Sequence, residues 1–191
     1  LSRGLGDVYK RQLVFQGLDT WCDITLNGQP LLSTNNMFRT WKADVSGLLS
    51  DKENILHLRF RSPIRQGMKE MEKYGLPLPA SNDQSENGGM GPNRVSVFSR
   101  KAPYHFGWDW GPRLVTSGIW RPIFLRTWDT VRLENALMLQ AHHDGVVDVT
   151  IRPEIAGESA WSAEITAPDG EVLTLPETTA AEQLITIEHP Q

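Results

Sequence analysis

Two tryptophans enclose an aspartate at Trp108, Asp109 and Trp110, with a glycine before them and Gly111-Pro112 after them. In a regular strand Asp109 would point away from both indoles, but the flanking glycines permit a bend or bulge that aims side chains at one pocket. An indole covers the C–H face of a pyranose, and a carboxylate accepts charge-assisted hydrogen bonds from its hydroxyls. The trio therefore predicts a saccharide-binding position. In the alternative interpretation, the tryptophans are core residues and Asp109 is a solvated outward residue.

Other polar residues are candidates for binding on weaker grounds. His142-His143-Asp144 contains metal-ligating types, but adjacent histidines in a strand point to opposite faces, which favours the end of a hairpin over a metal site. His105 lies near the tryptophans and either contacts a ligand or packs within a loop. Arg113 either pairs with Asp109 and holds it in place or is exposed.

Composition excludes several classes of partner and cofactor. The 191 residues carry a net charge of −4 with no Lys/Arg block, which argues against nucleic acid. No apolar run approaches the ~20 residues that span a bilayer, so no membrane partner is predicted. The sequence has no Gly-rich phosphate loop, paired-cysteine metal spacing or nucleophile-elbow serine, so neither a cofactor nor a metal is predicted. The single cysteine, Cys22, alternates with Ile24 and Leu26 and is expected to be a buried, unreactive side chain.

The elements that must position these residues are short strands. Apolar and polar residues alternate over 21–26, 55–61, 131–139, 147–151, 161–165, 172–175 and 184–187. Turn signals at Asn27-Gly28, Asp144-Gly145 and Pro168-Asp169-Gly170 predict hairpins, the first returning along 29–32. This spacing predicts an all-β protein made of β-sandwiches. One helix is expected over 65–74, weakened by Gly67, followed by a long loop over 75–93.

Two further features concern packing and domain organisation. The alternation in 131–139 places Val131, Leu133, Leu137 and Leu139 on one strand face. A shift in composition near Asp129 predicts a domain boundary at 128–131. Segment 1–12 shows neither strand alternation nor a helical stripe, so we expect it to be foreign to the fold or unstructured. Both ends of the chain have the character of cut ends, and no compartment is predicted.

Beyond single residues, the string RKAPYHFGWDWGPRLVTSGIWRPIFL at 100–125 resembles the signature of β-mannosidases in the family-2 glycoside hydrolases. The segments LVFQGLDTWCDITLNG at 13–28 and NMFRTWKADVSGLL at 36–49 are similar to strands of that family's N-terminal sugar-binding jelly roll. The resemblance implies that 13–128 is the C-terminal part of a galactose-binding-like jelly roll and that 129–191 is the N-terminal part of an incomplete immunoglobulin-like sandwich. The catalytic (β/α)₈ barrel of the family is absent from this sequence.

The resemblance also implies a function and roles for residues. The parent protein would be an exo-β-mannosidase that removes terminal β-linked mannose with retention, using two glutamates of the missing barrel. The partners implied are a mannose-containing oligosaccharide and that barrel, and this chain alone is expected to be inactive. Trp108 would pack on the sugar, Asp109 would accept hydrogen bonds from its hydroxyls and Trp110 would support them. One asparagine of the preceding loop could contribute: Asn82, Asn87 or Asn93. The alternative functions are a free-standing carbohydrate-binding module and a structural sandwich protein.

Overall fold

The computed structural model describes residues 10–80, 83, 94–108 and 111–188. Strands dominate and helix is scarce, which confirms the predicted all-β class. The chain divides into two compact units, Leu1–Thr127 (unit 1) and Trp128–Gln191 (unit 2). Within the described ranges no helix is long and apolar enough to cross a membrane.

Unit 1 is built around two three-stranded sheets, ordered β4-β1-β6 and β3-β2-β5. Its strands are β1 (Lys10–Asp19), β2 (Trp21–Leu26), β3 (Gln29–Asn35), β4 (Trp41–Asp44), β5 (Leu56–Phe60) and β6 (Gly118–Trp128). The core joins residues of both sheets: Leu13, Phe15, Leu18, Cys22, Ile24, Leu26 and Val45. Each such side chain contributes on the order of 1.5–3 kcal/mol by leaving water.

The first hairpin of unit 1 forms as its sequence predicts. Asn27 and Gly28 have φ of 52° and 81°, the positive values that a tight two-residue turn requires. β2 and β3 then pair from Trp21 opposite Asn35 to Leu26 opposite Gln29. Cys22 is fully buried between the sheets, as its alternation with apolar residues indicates.

Helix α1 (Pro63–Tyr74) begins slightly before the expected residue 65. The Ser62 hydroxyl caps it by accepting from the Arg65 amide at 3.3 Å, and Gly75 ends it in the left-handed region at φ 84°. Gly67 is buried where a Cβ would lie 2.8 Å from the Cβ of Val95. The glycine that weakens the helix intrinsically is therefore what lets it pack closely against the segment that follows the long loop.

The N-terminal limit of the fold corrects the sequence-based expectation for Lys10, Arg11 and Gln12. These residues belong to β1, in which Arg11 is buried and Gln12 pairs with Asp44. The Arg11 amide also donates to the Ser46 hydroxyl at 2.9 Å. β1 is buried on both faces, so it lacks the alternation by which the other strands were found. Residues 1–9 of the segment expected to be foreign lie outside the described residues.

Unit 2 contains sheets ordered β11-β8-β7 and β10-β9. Its strands are β7 (Arg132–His143), β8 (Val146–Ala156), β9 (Trp161–Thr166), β10 (Val172–Thr178) and β11 (Gln183–Glu188). Val147, Val149 and Ile151 of β8 pack with Leu175 of β10 to form its core. The predicted turns at Asp144-Gly145 and Pro168-Asp169-Gly170 join β7 to β8 and β9 to β10, as expected.

The predicted common face of β7 is wrong. A bulge between Leu133 and Asn135 inserts one residue, so the side chains beyond it change sides. Leu133 pairs with Ile155, but Leu139 pairs with Thr150, on the face opposite to buried Val149. Leu137 and Leu139 therefore lie on the face of the sheet opposite to Leu133.

Candidate functional site

Trp108 lies at a tight reversal of the chain. A 3₁₀ helix, Pro103–Phe106, ends at Gly107, whose φ of 98° is one that glycine adopts without strain. Trp108 and Gly111 then exchange two backbone hydrogen bonds, at 3.3 Å and 3.1 Å, which hold the two ends of the segment together. Trp108 is 50% exposed. It is thus not a core residue of unit 1, and half of its side chain is accessible to solvent.

The other two residues of the predicted trio, Asp109 and Trp110, lie outside the described residues, as do Asn82, Asn87 and Asn93 of the preceding loop. Their roles stay predictions. The described residues on either side of the trio show Gly107 at a positive φ and Gly111 hydrogen-bonded to the backbone of Trp108.

A buried ion pair anchors the segment immediately after this reversal. Arg113 Nε lies 3.2 Å from Asp83 Oδ1, with 4% and 0% of the respective side chains exposed. The other carboxylate oxygen of Asp83 accepts from the amides of Val95 and Ser96, at 2.7 Å and 3.1 Å. The expectation of an exposed Arg113 is therefore wrong, because its guanidinium is taken up by Asp83. An additional pairing with Asp109 involves a residue outside the described ones.

The Arg113 guanidinium also lies over the Phe106 ring, with its carbon 5.6 Å from the ring centroid. Phe106 is fully buried and is the last residue of the 3₁₀ helix that precedes Gly107. Arg113, which follows the reversal, thus contacts the segment before Trp108 in addition to Asp83. Both sides of the reversal are fixed by the same buried side chain.

A second buried ion pair lies just before the 3₁₀ helix, at Lys101. Lys101 donates to the Asp19 carboxylate at the end of β1, and the Thr20 hydroxyl donates to the other oxygen of that carboxylate. Burial lowers the pKa of Lys101, and the hydrogen bond and charge of Asp19 oppose the shift. The pair ties the residues before the 3₁₀ helix to the core strand β1.

His105 lies on the 3₁₀ helix and is partly buried. Its Nδ1 is 3.3 Å from the carbonyl oxygen of Leu114 and 3.1 Å from the Thr116 hydroxyl, and its ring stacks on Tyr104 at 4.7 Å. Burial, followed by the positive charge of Lys101, lowers the pKa of His105, while Asp19 and the Leu114 carbonyl oppose the shift. The ring is therefore neutral at physiological pH.

The histidines of unit 2 lie at the end of the β7–β8 hairpin. His143 Nε2 is 3.1 Å from the Asp148 carboxylate, and both groups are largely solvated. Within the described part of the chain, no group of three or more His, Cys, Asp or Glu side chains is placed to hold a metal ion.

Sequence reasoning missed Asp19, Asp83 and Lys101, which carry the two buried ion pairs. Asp83 lies 30 residues from Arg113, and Asp19 lies 82 residues from Lys101. Nothing in the local spacing marks such partners. Their one sequence signal is the presence of charged residues beside apolar segments that must be buried.

The family model described as "Glycosyl hydrolase 2 galactose-binding domain-like" matches residues 4–121. Beta-mannosidase B from Thermothelomyces thermophilus is 37% identical over 118 residues, and beta-mannosidase B from Aspergillus niger is 40% identical over 119 residues. Each match covers 62% of this chain and 13% of the relative, so the chain spans a small part of their length.

Solved structures show the same fold. The β-D-mannosidase from Dictyoglomus thermophilum matches all of this chain and 23% of its own length, with a TM-score of 0.78 and 30% identity. A β-glucuronidase from an uncultured Clostridium has a TM-score of 0.60 over 95% of this chain and 27% of its own. At 16% identity, the second likeness concerns the fold alone.

Proposed function

Because the chain belongs to the family of glycosyl hydrolase 2 galactose-binding domain-like proteins, we propose that it is a non-catalytic portion of an exo-β-mannosidase and contributes one wall of the mannose pocket. In the proposed organisation, unit 1 is part of a sugar-binding jelly roll and unit 2 is part of an immunoglobulin-like sandwich. The observation that carries the proposal is the half-exposed Trp108, fixed at a glycine-flanked reversal within a chain that resembles β-mannosidases.

The proposed role of these residues is to bind and orient the sugar. The Trp108 indole would cover the C–H face of the terminal mannose, and Asp109 would accept hydrogen bonds from hydroxyls remote from the bond that is cut. Trp110 would support the pair, and Arg113 would hold the reversal through Asp83. Contacts far from the reacting carbon increase rate when their binding energy fixes the ring in a reactive orientation.

The chemical step lies outside this chain in the proposal. A retaining glycosidase needs two carboxylates about 5–5.5 Å apart, one as acid/base and one as nucleophile. Neither of these two roles belongs to Asp109 or to any other carboxylate of this chain in the proposal. Purified as it stands, the chain should release no product from an aryl β-mannoside.

The test of the pocket-wall assignment is kinetic and uses the longer enzyme. We expect Asp109→Ala to lower kcat/KM on an aryl β-mannoside at least tenfold, because a lost charge-assisted hydrogen bond costs about 1.5–3 kcal/mol. Trp108→Ala should have a loss of similar size. Asp144→Ala, which removes an exposed carboxylate from a hairpin turn of unit 2, is the matched control and should stay within twofold. If Asp109→Ala also stays within twofold, the assignment is wrong.

A further inference from the structure

Unit 1 contains a cavity of about 300 Å³ beside the 3₁₀ helix Pro103–Phe106. It is lined by Asp19, Met37, Tyr104, His105, Thr116 and Trp120, together with residues 117–119. Pockets of about 300 Å³ and more are the size that small ligands occupy. The cavity has room for a single small ligand, and the role proposed for Trp108 makes no use of it.

Trp120 and Asp19, which line the cavity, are fixed by contacts with neighbouring residues. The Trp120 indole N–H donates to the carbonyl oxygen of Met37 at 3.0 Å. The same indole packs so closely on Gly17 that a Cβ there would lie 2.5 Å from its nitrogen. Asp19 is fixed by Lys101 and Thr20. A site whose groups are already positioned loses little freedom when a ligand enters.

Two acceptors of this cavity retain unused capacity. A carboxylate has about four lone-pair positions, and the bonds from Lys101 and Thr20 to Asp19 occupy two of them. The Leu114 carbonyl can only accept, so we assign the proton of neutral His105 to Nδ1, which leaves Nε2 as an acceptor. The Thr116 hydroxyl can both donate and accept.

An aromatic ring stands at the same cavity. Tyr104 is 71% exposed, although one face of its ring stacks on His105 with 23° between the planes. A large exposed aromatic residue beside acceptors and a hydroxyl is the combination that suits a ligand with an apolar face and a rim of hydroxyls. The cavity offers two acceptors and no unpaired cation among its lining side chains, which disfavours an anionic ligand.

We propose that this cavity binds one pyranose unit, with Tyr104 packing on its C–H face and Asp19 and His105 accepting hydrogen bonds from its hydroxyls. The choice of a β-mannoside as the ligand rests on the proposed function, whereas the cavity itself does not involve Trp108. The low pKa of His105 supports the assignment, since the neutral ring keeps Nε2 free to accept.

The test is an NMR titration of the 191-residue chain with methyl β-D-mannopyranoside, with glycerol as a polyol control. The backbone amides of 116–119 and the indole N–H of Trp120 report on the cavity, and the indole N–H of Trp108 reports on the reversal. We expect saturable shifts at the cavity with millimolar affinity, and no comparable response to glycerol. Tyr104→Ala should weaken the binding at least fivefold, while Tyr104→Phe and the exposed control Tyr74→Ala should stay within twofold.

The outcomes separate this inference from the proposed function. Absence of shifts at the cavity, or an equal response to glycerol, overturns the inference whatever happens at Trp108. Cavity shifts that Tyr104→Ala leaves unchanged overturn it as well. The pocket-wall proposal is decided separately by the kinetics of Asp109→Ala, so either proposal can fail while the other stands.

Discussion

Replacing Arg113 with alanine should destabilise unit 1 strongly, because it leaves the carboxylate of Asp83 buried without its cation. The side chain of Asp83 is 0% exposed, and among the described residues it would keep the amides of Val95 and Ser96 as donors. Removing one partner of a buried ion pair costs about 3–5 kcal/mol. Since two backbone donors remain, we expect the lower end of that range, about 3 kcal/mol.

The assay is urea unfolding followed by tryptophan fluorescence. With a denaturant slope of about 2 kcal/mol/M, a loss of about 3 kcal/mol lowers the midpoint by roughly 1.5 M. Arg61→Ala is the matched control in the same unit, because its partner Asp23 lies at the same distance of 3.2 Å but the two side chains are 35% and 40% exposed. An exposed pair contributes about 1 kcal/mol or less, so this control should change the midpoint little.

A second variant isolates the role of charge. Combining Arg113→Ala with Asp83→Asn removes the buried charge together with its cation, so it should recover part of the lost stability. Equal midpoints for Arg113→Ala and Arg61→Ala would refute the conclusion that the buried pair anchors the reversal. Failure of the double variant to recover any stability would show that packing, and not charge, is responsible.

Three further predictions concern close packing, thiol reactivity and proton binding. Gly17→Ala should lower the free energy of unfolding by about 1–3 kcal/mol, because the new methyl group would meet the Trp120 indole. Gly47→Ala is the control and should be nearly neutral, since open space surrounds that glycine. Equal effects of the two variants in urea unfolding would contradict the packing. Burial, followed by the charge of Asp23, raises the pKa of Cys22 to about 11. A thiol reagent at pH 8 should therefore label the chain only after unfolding. Rapid labelling of the folded chain would contradict the burial. An NMR titration should place the His105 pKa below its usual 6.5. Because the folded state then binds this proton more weakly than the unfolded state, the free energy of unfolding should fall as the pH drops below 6.5. A titration midpoint at or above 6.5 would contradict the environment described for this ring.

The sequence predicted best the elements whose two faces differ. β2, β5 and β9 each bury one side, so alternation revealed them, and Asn27-Gly28 marked its hairpin because positive φ angles need those residues. β1 was only partly anticipated because both of its faces are buried. On β7 the alternation was visible, but one inserted residue exchanged the faces. A period of two cannot report such a bulge.

The site was predicted in part for a similar reason. The glycines around Trp108 indicate a local bend, and local bends follow from residue type. The ion pairs that hold the bend join residues distant in sequence, and charge alone does not identify which carboxylate a buried Arg113 or Lys101 meets. The sequence therefore indicated the bend beside the exposed Trp108 but not the distant residues that fix its position.

We propose that this chain forms part of a longer β-mannosidase and supplies one wall of its sugar pocket. Sequencing the coding DNA on both sides of the segment distinguishes this longer enzyme from a free-standing carbohydrate-binding module. We expect the reading frame to continue past Gln191 into alternating strands and helices with a glutamate at the ends of two strands, as a retaining (β/α)₈ glycosidase requires. A stop codon immediately after Gln191, with a start codon just upstream of the described residues, would contradict it, because such a chain could not carry out the hydrolysis proposed.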